Sequence, residues 1–518
     1  MKHAGFIAKA RSFLASPGTF RLIVALFLVQ AVLSLVFISP STPKDGIGGR
    51  YVERNEDGVI PDGHRHIGAI YYYTERPILA GPVIANTGDD ELWMGDLVRF
   101  PSYLYYYVLS FPIRIAVSAG ASDTTIIYLI RAAGILLGLL ALLTFRKISQ
   151  LVTSSVTVQN ISALALTLTG SFVWLSAAEN YDMPALLLWF AFLYASMSLF
   201  IKKDGSYLYW MALWFFMLSV TKYTYIPFMG ILGLVALWLY AKNSSALNVK
   251  RLAHSITKDF KAKLHRLRVW QISLAVIVLL ASTSLFTERI IGNLVTYHSF
   301  NPSCEKIHSH EACMKFGVYA RNYNQKQRLA NGTVQPIEYV PVVGYPAYWV
   351  KRYFDSMYVY MGHIYIPQYS LLVEVAGIFA AIVGAILFVI ARIKRIRLFN
   401  SQPERYLLGV VIVLTGAQFI FNLNTVLNYG GQTYAHQGRY LLPVVGFAYL
   451  LYFIALSRVY KKQPAKTKRV TIAIGLCIAA YTIVIASAIP SFVIHATSPN
   501  WYSQFGQDIL PSWVINRK

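Results

Sequence analysis

The stretch 21-RLIVALFLVQAVLSLVFI-38 decides the fold class. After Arg21 it carries no charge, and it approaches the roughly 20 apolar residues a helix needs to cross a bilayer. Similar runs follow at Tyr128–Phe145, Val158–Leu175, Pro184–Ile201, Leu208–Val220, Tyr225–Tyr240, Trp270–Phe286, Leu371–Ile390, Leu407–Phe421, Tyr440–Leu456 and Val470–Ile489. The whole chain of 518 residues is 56% hydrophobic and only 14% charged, with a mean hydropathy of +0.47. A soluble domain carries about 25% charged residues. The expectation is an all-α polytopic membrane protein with about 11 transmembrane helices, folded as one integral unit over residues 1–518.

The net charge of +24 sits in short clusters between the apolar runs: Arg146/Lys147, Lys202/Lys203, Lys250 to Arg268, Arg392 to Arg397, and Lys461 to Arg469. That is the pattern of the positive-inside rule, and it argues against nucleic acid as a partner. Lys2, Lys9 and Arg11 ahead of the first run resemble a signal anchor. This puts the N-terminus in the cytoplasm and the C-terminus in the periplasm. The orientation holds only if Pro101–Gly120 does not cross; otherwise nearly every basic cluster moves outside. Tyr103, Tyr105, Tyr106 and Tyr107 suit a helix at headgroup level, so 101–120 is expected to be interfacial, within a first periplasmic loop over 39–127. A second large periplasmic loop is expected over 287–370.

The stretch Ser39–Ile127 holds nearly half of the 23 acidic residues of an otherwise basic chain. Near its start stands Pro61-Asp62-Gly63-His64-Arg65-His66, where an aspartate beside histidines can supply a general base with a cationic or metal-binding partner. On a helix, Asp62 and His66 share a face. The same residues also suit a solvated Pro-Asp-Gly turn. Asp89-Asp90-Glu91 can hold a divalent cation through oxygen ligands, or form the acidic start of a helix. Glu179-Asn180-Tyr181-Asp182 lies at the outer end of one run with Pro184 opening the next, so Asp182 is either a helix cap or part of a shared site with Asp62. His436-Gln437-Gly438-Arg439-Tyr440 opens a late run. An arginine there can grip a phosphate with two parallel hydrogen bonds or simply anchor a span end. Lys222, between two runs on the same side, is a second candidate phosphate contact. Cys304 and Cys313 form a disulfide in an oxidising compartment or remain two thiols. No phosphate-binding glycine loop or dinucleotide fingerprint occurs.

With these motifs in order, the chain resembles the GT-C superfamily of membrane glycosyltransferases, and most of all a bacterial branch of it. That branch has a Pro-Asp-Glu-x-x-His motif after the first span, an aromatic Pro-Pro-Leu-Tyr-Tyr-like stretch and a late Gln-Gly-Arg-Tyr-x-x-Pro motif. Here Asp62 and His66 match the first motif with Gly63 in place of the glutamate. Phe100-Pro101-Ser102-Tyr103-Leu104-Tyr105-Tyr106 is similar to the second, and Gln437-Gly438-Arg439-Tyr440 with Pro443 matches the third. Arg131, Asp182 and Lys222-Tyr223 also fall where the branch carries such residues.

The resemblance implies transfer of a sugar from a polyprenyl-phosphate donor to an envelope polysaccharide or lipid-linked acceptor, at the periplasmic face of a bacterial inner membrane. Asp62 would act as base with His66 beside it. Arg131, Lys222, Arg439, Gln437, Asp182 and Tyr103 would contact substrate or phosphate. No cofactor is implied, apart from a divalent cation with Asp89, Asp90 and Glu91 as its candidate ligands. The partners would be the lipid-linked donor, a saccharide acceptor and the bilayer. Two other readings stand beside this one. A flippase or exporter of a lipid-linked saccharide would more often place charge at mid-membrane. A polysaccharide polymerase or ligase would use the later loop, with His308 or Arg321.

Overall fold

The computed structural model describes residues 12–38, 63–75, 99–315, 317–333, 344–358, 367–429 and 436–462. Their regular structure is helical. Among the described residues, seven helices are long and apolar enough to cross a membrane: Pro17–Phe37, Asp123–Val152, Asp182–Lys202, Tyr223–Asn243, Val269–Tyr297, Gln402–Asn428 and Gly438–Lys461. Val156–Thr167 and Gly170–Ser176 form a bent pair that meets at 65°, the geometry of a broken span or of a re-entrant loop. The run expected at Leu208–Val220 forms Tyr207–Thr221, only 15 residues and so roughly 22 Å long. Leu371–Ile390 lies within Pro367–Ile393, and Val470–Ile489 falls outside the described residues. The span expected to stop at Phe286 continues to Tyr297 through a π-turn at Thr287–Ile291.

Asp182–Lys202 is apolar on every side below its first turn, and such a helix belongs in the interior. Inside the protein, 78% of its apolar window is buried, against 6% for Val269–Tyr297 at the periphery. It packs against Asp123–Val152, Tyr207–Thr221 and Ile226–Asn243. Leu442–Lys461 closes the bundle against Val156–Thr167 and Gln402–Asn428.

Small residues set the closest approach. Gly134 and Gly138 are four apart on one face of Asp123–Val152, the spacing that lets membrane helices touch backbone to backbone. A Cβ on Gly134 would sit 2.6 Å from the Ser176 carbonyl oxygen, and one on Gly138 would sit 2.3 Å from Ser176 Oγ. The glycines therefore admit the bent Gly170–Ser176 segment. The break also frees the Thr167 carbonyl, which accepts a hydrogen bond from Gln30 Nε2 at 3.4 Å, so the polar backbone is met inside the protein.

Side chains tie distant segments at the helix ends. Ser401 and Glu404 form a reciprocal cap on Gln402–Asn428. Arg458 then grips Glu404 with two bonds of 2.6 and 2.7 Å, joining that helix to the end of Leu442–Lys461. Helix Gly63–Glu75 packs on Leu104–Ser118, where Arg114 donates to the Tyr73 and Thr74 carbonyls at 2.9 Å and satisfies its open C-terminal end. Arg99 bonds Glu288 and Asn293 at the π-turn. Cys304 and Cys313 are joined as a disulfide, with Cα atoms 5.8 Å apart.

Replacing Gly134 with valine forces a methyl group against a backbone oxygen. Overpacking of this kind costs about 1–3 kcal/mol. The expected result is a lower unfolding temperature for Gly134→Val in detergent, and an unchanged temperature would show that the two segments are not in contact.

Candidate functional site

Three residues far apart in sequence meet at the ends of the central helices. Asp182 Oδ1 accepts a 2.6 Å hydrogen bond from Lys222 Nζ, and Asp182 Oδ2 lies 3.6 Å from Arg439 Nη1. Asp182 is 9% exposed and Lys222 8%, so the pair is largely removed from water and depends on its geometry. Two cations thus converge on one carboxylate.

Local structure explains how each residue arrives. Asp182 is the first residue of Asp182–Lys202, but it does not cap that helix. Asn180 Oδ1 accepts the Asp182 N–H at 2.8 Å, which leaves the Asp182 carboxylate for its two cations. Lys222 sits in extended backbone between Tyr207–Thr221 and the short turn Tyr223–Tyr225. That break is held by the first loop: Tyr103 N–H donates to Val220 O at 2.9 Å, and Tyr223 N–H to Ser102 Oγ at 3.2 Å. Arg439 belongs to the turn Gly438–Leu441. Gly438 is required there, because a Cβ would lie 2.6 Å from the Met357 nitrogen. Gly438 N–H donates to Ser356 Oγ at 2.6 Å.

Aromatic rings wall the site. Lys222 Nζ stands 5.2 Å from the ring centroids of both Tyr181 and Tyr440, and the Arg439 guanidinium 5.3 Å from Tyr440. Ring faces of this kind attract cations. His66, 2% exposed, shares a 2.7 Å hydrogen bond with the Tyr106 hydroxyl and meets the Tyr181 ring edge-on at 5.1 Å. His436 shares a 2.8 Å bond with the Tyr345 hydroxyl just ahead of Gln437.

The structure therefore brings together His66, Asp182, Lys222 and Arg439, with Gln437 two residues from Arg439. It places Arg131 and Tyr103 elsewhere. Arg131 is 1% exposed and donates to the carbonyls of Ala177 at 2.6 Å, Ser34 at 2.9 Å and Ile38 at 3.0 Å, with Glu179 at 3.9 Å. It staples the end of Pro17–Phe37 to the bent segment. Tyr103 lies under the Arg289 guanidinium, 4.0 Å from its ring centroid, and bonds the Leu285 carbonyl. Tyr106, Tyr181 and Tyr440 take the aromatic positions at the site; each stood inside a quoted motif, Tyr106 as a headgroup-level tyrosine and none as a site residue. Asp62, Asp89, Asp90 and Glu91 lie outside the described residues. Among the described residues, no group of three or more histidine, cysteine or acidic side chains is arranged to hold a metal ion.

No protein-family model and no curated protein matches the chain. Among solved structures, it is similar to the oligosaccharyltransferase of Archaeoglobus fulgidus in its apo form. That likeness has a TM-score of 0.41 and 12% identity, over 92% of this chain and 56% of that one. It is also similar to archaeal oligosaccharyltransferase AglB from Archaeoglobus fulgidus in complex with an inhibitory peptide and a dolichol-phosphate, at a TM-score of 0.37 and 12% identity over 93% and 57%. The chain spans little more than half the length of either.

Arg131→Met would remove the donors to the Ala177, Ser34 and Ile38 carbonyls and the cation beside buried Glu179, and breaking a buried ion pair costs about 3–5 kcal/mol. The expected result is a large fall in thermal stability, with unchanged ligand binding per folded molecule. Weaker binding at unchanged stability would return Arg131 to the ligand site.

Proposed function

We propose that the chain is a GT-C-type glycosyltransferase that moves a sugar from a polyprenyl-phosphate donor to an envelope saccharide acceptor at the outer face of a bacterial inner membrane. The observation that carries this reading is the convergence of Lys222 and Arg439 on Asp182, at a helix end between aromatic rings. A polyprenyl-phosphate sugar is a phosphodiester with one negative charge, and its headgroup lies at the depth of helix ends.

In this reading, Lys222 and Arg439 bind the phosphate while Asp182 fixes both cations in place. The acceptor hydroxyl oxygen attacks the anomeric carbon, and the bond between that carbon and the phosphate oxygen breaks. The electron pair leaves with the lipid phosphate, and the hydroxyl proton passes to Asp62. As phosphodiester becomes phosphomonoester, negative charge grows on the leaving oxygen. Cations already in position stabilise that charge without reorganising. Asp62 is bonded directly to Gly63, which opens the helix carrying His66. His66, fixed by Tyr106 and Tyr181, orients that end of the helix beside the cationic pair. The first loop over 39–127, with 101–120 at the interface, and the later loop, which begins only after Tyr297, would enclose acceptor and donor on the periplasmic side. The disulfide supports that compartment, since such bonds persist where the medium oxidises.

Two substitutions test the assignment on purified, reconstituted protein. Lys222→Met should lower turnover by about 10²–10³-fold, the scale of one removed transition-state donor. Asp62→Asn should lower it by about 10²–10⁴-fold while donor binding persists. Normal turnover in both variants would sink the reading.

A further inference from the structure

Buried polar groups without partners are uncommon, because each forgoes its hydrogen bonds to water. Three of them lie on the segments that meet near the Asp182 site. Asn180 is 2% exposed and its Nδ2 has no partner. The orientation of its amide is fixed by chemistry, because Oδ1 must face the Asp182 N–H that it accepts. Trp174, 4% exposed, has an indole Nε1–H with no acceptor. Gln437 Oε1 is buried and unpaired, two residues before Arg439.

Contacts between their segments bring the three to one place. Trp174 lies on Gly170–Ser176, which abuts the Gly438–Leu441 turn. Ser171, three residues earlier on that helix, donates to the Met357 carbonyl at 2.7 Å, and Ser356 Oγ accepts from Gly438. At the other end, Ser176 Oγ donates to Met183 Sδ at 3.3 Å, next to Asp182. Asn180 sits between these two elements.

The set holds two donors and an acceptor. A phosphate can only accept hydrogen bonds, so the Gln437 oxygen has nothing to offer it. A sugar hydroxyl both donates and accepts, and it satisfies all three groups. We infer that Trp174, Asn180 and Gln437 form a hydroxyl-recognition subsite for the sugar ring of the lipid-linked donor, adjoining the Lys222–Arg439 phosphate contact. This deepens the proposed function and rests on it. A site built to bond a hydroxyl also rejects a ligand that lacks it, because its buried polar groups then stay unpaired.

The test uses full-length protein in detergent with two classes of probe. One is a set of polyprenyl-phosphate hexoses (glucose, mannose and galactose), and the other is the same polyprenyl phosphate without sugar. Wild type should bind at least one glycosylated lipid more tightly than the bare lipid phosphate. Trp174→Phe removes the donor and keeps the aromatic bulk; Gln437→Met removes the acceptor at similar length. Each should weaken binding of the best hexose lipid by about 5–30-fold and leave binding of the bare lipid phosphate unchanged. Thermal stability without ligand should hold or rise, since each change deletes an unsatisfied buried group. Equal weakening toward both probes, lower stability, or no preference for any glycosylated lipid in wild type would overturn the subsite and leave the phosphate reading standing. Binding of neither probe by wild type would overturn the proposed function and the subsite with it.

Discussion

The site depends on one buried carboxylate. Asp182 holds Lys222 at 2.6 Å and Arg439 at 3.6 Å, and so fixes together the starts of two long helices and the break between two others. Removing three charges from water carries a cost that only their mutual attraction offsets, so the arrangement tolerates little displacement. The cluster ties three segments distant in sequence to one point at the helix ends.

A second buried arginine shows the contrast. Arg131 is the most deeply placed basic side chain among the described residues, yet its bonds go to three backbone carbonyls and its nearest carboxylate is Glu179. It holds the bent Gly170–Ser176 segment that Gly134 and Gly138 admit. That segment carries Trp174 and leads into Asn180 and Asp182. Arg131 therefore acts on the scaffold behind the site, and Arg439 in front of it.

Much of this was legible in the sequence because hydrophobic length is a strong signal. Arg21–Ile38 and Pro184–Ile201 fall on helices close to their expected bounds. The bend between Val156–Thr167 and Gly170–Ser176 was not legible: Val158–Leu175 reads as one apolar run, and only the packing of Ser176 against two glycines shows how the bent segment fits. The meeting of Asp182, Lys222 and Arg439 was suggested by their shared position at span ends, which is a property of topology. The role of Arg131 was not, because an arginine near the start of a span reads the same whether it meets a phosphate or a carbonyl. Nor was the division among the tyrosines. Tyr103 and Tyr106 lie three apart on one aromatic stretch, and only the docking of Arg289 on one and His66 on the other separates them. The choice for Asp182 between helix cap and site residue stayed open for a similar reason, since Asn180 and Asp182 are both good capping residues and only the hydrogen bond from Asp182 N–H to Asn180 Oδ1 separates them.

The most direct measurement is a double-mutant cycle on sugar transfer with Asp182→Asn, Lys222→Met and the double variant. If Asp182 acts by holding Lys222, the single losses overlap. The double variant is then little worse than Lys222→Met alone, with a coupling energy of about 2 kcal/mol or more. Losses that add in full would mean that the two residues act independently, and would contradict the account of Asp182 as the anchor of the site.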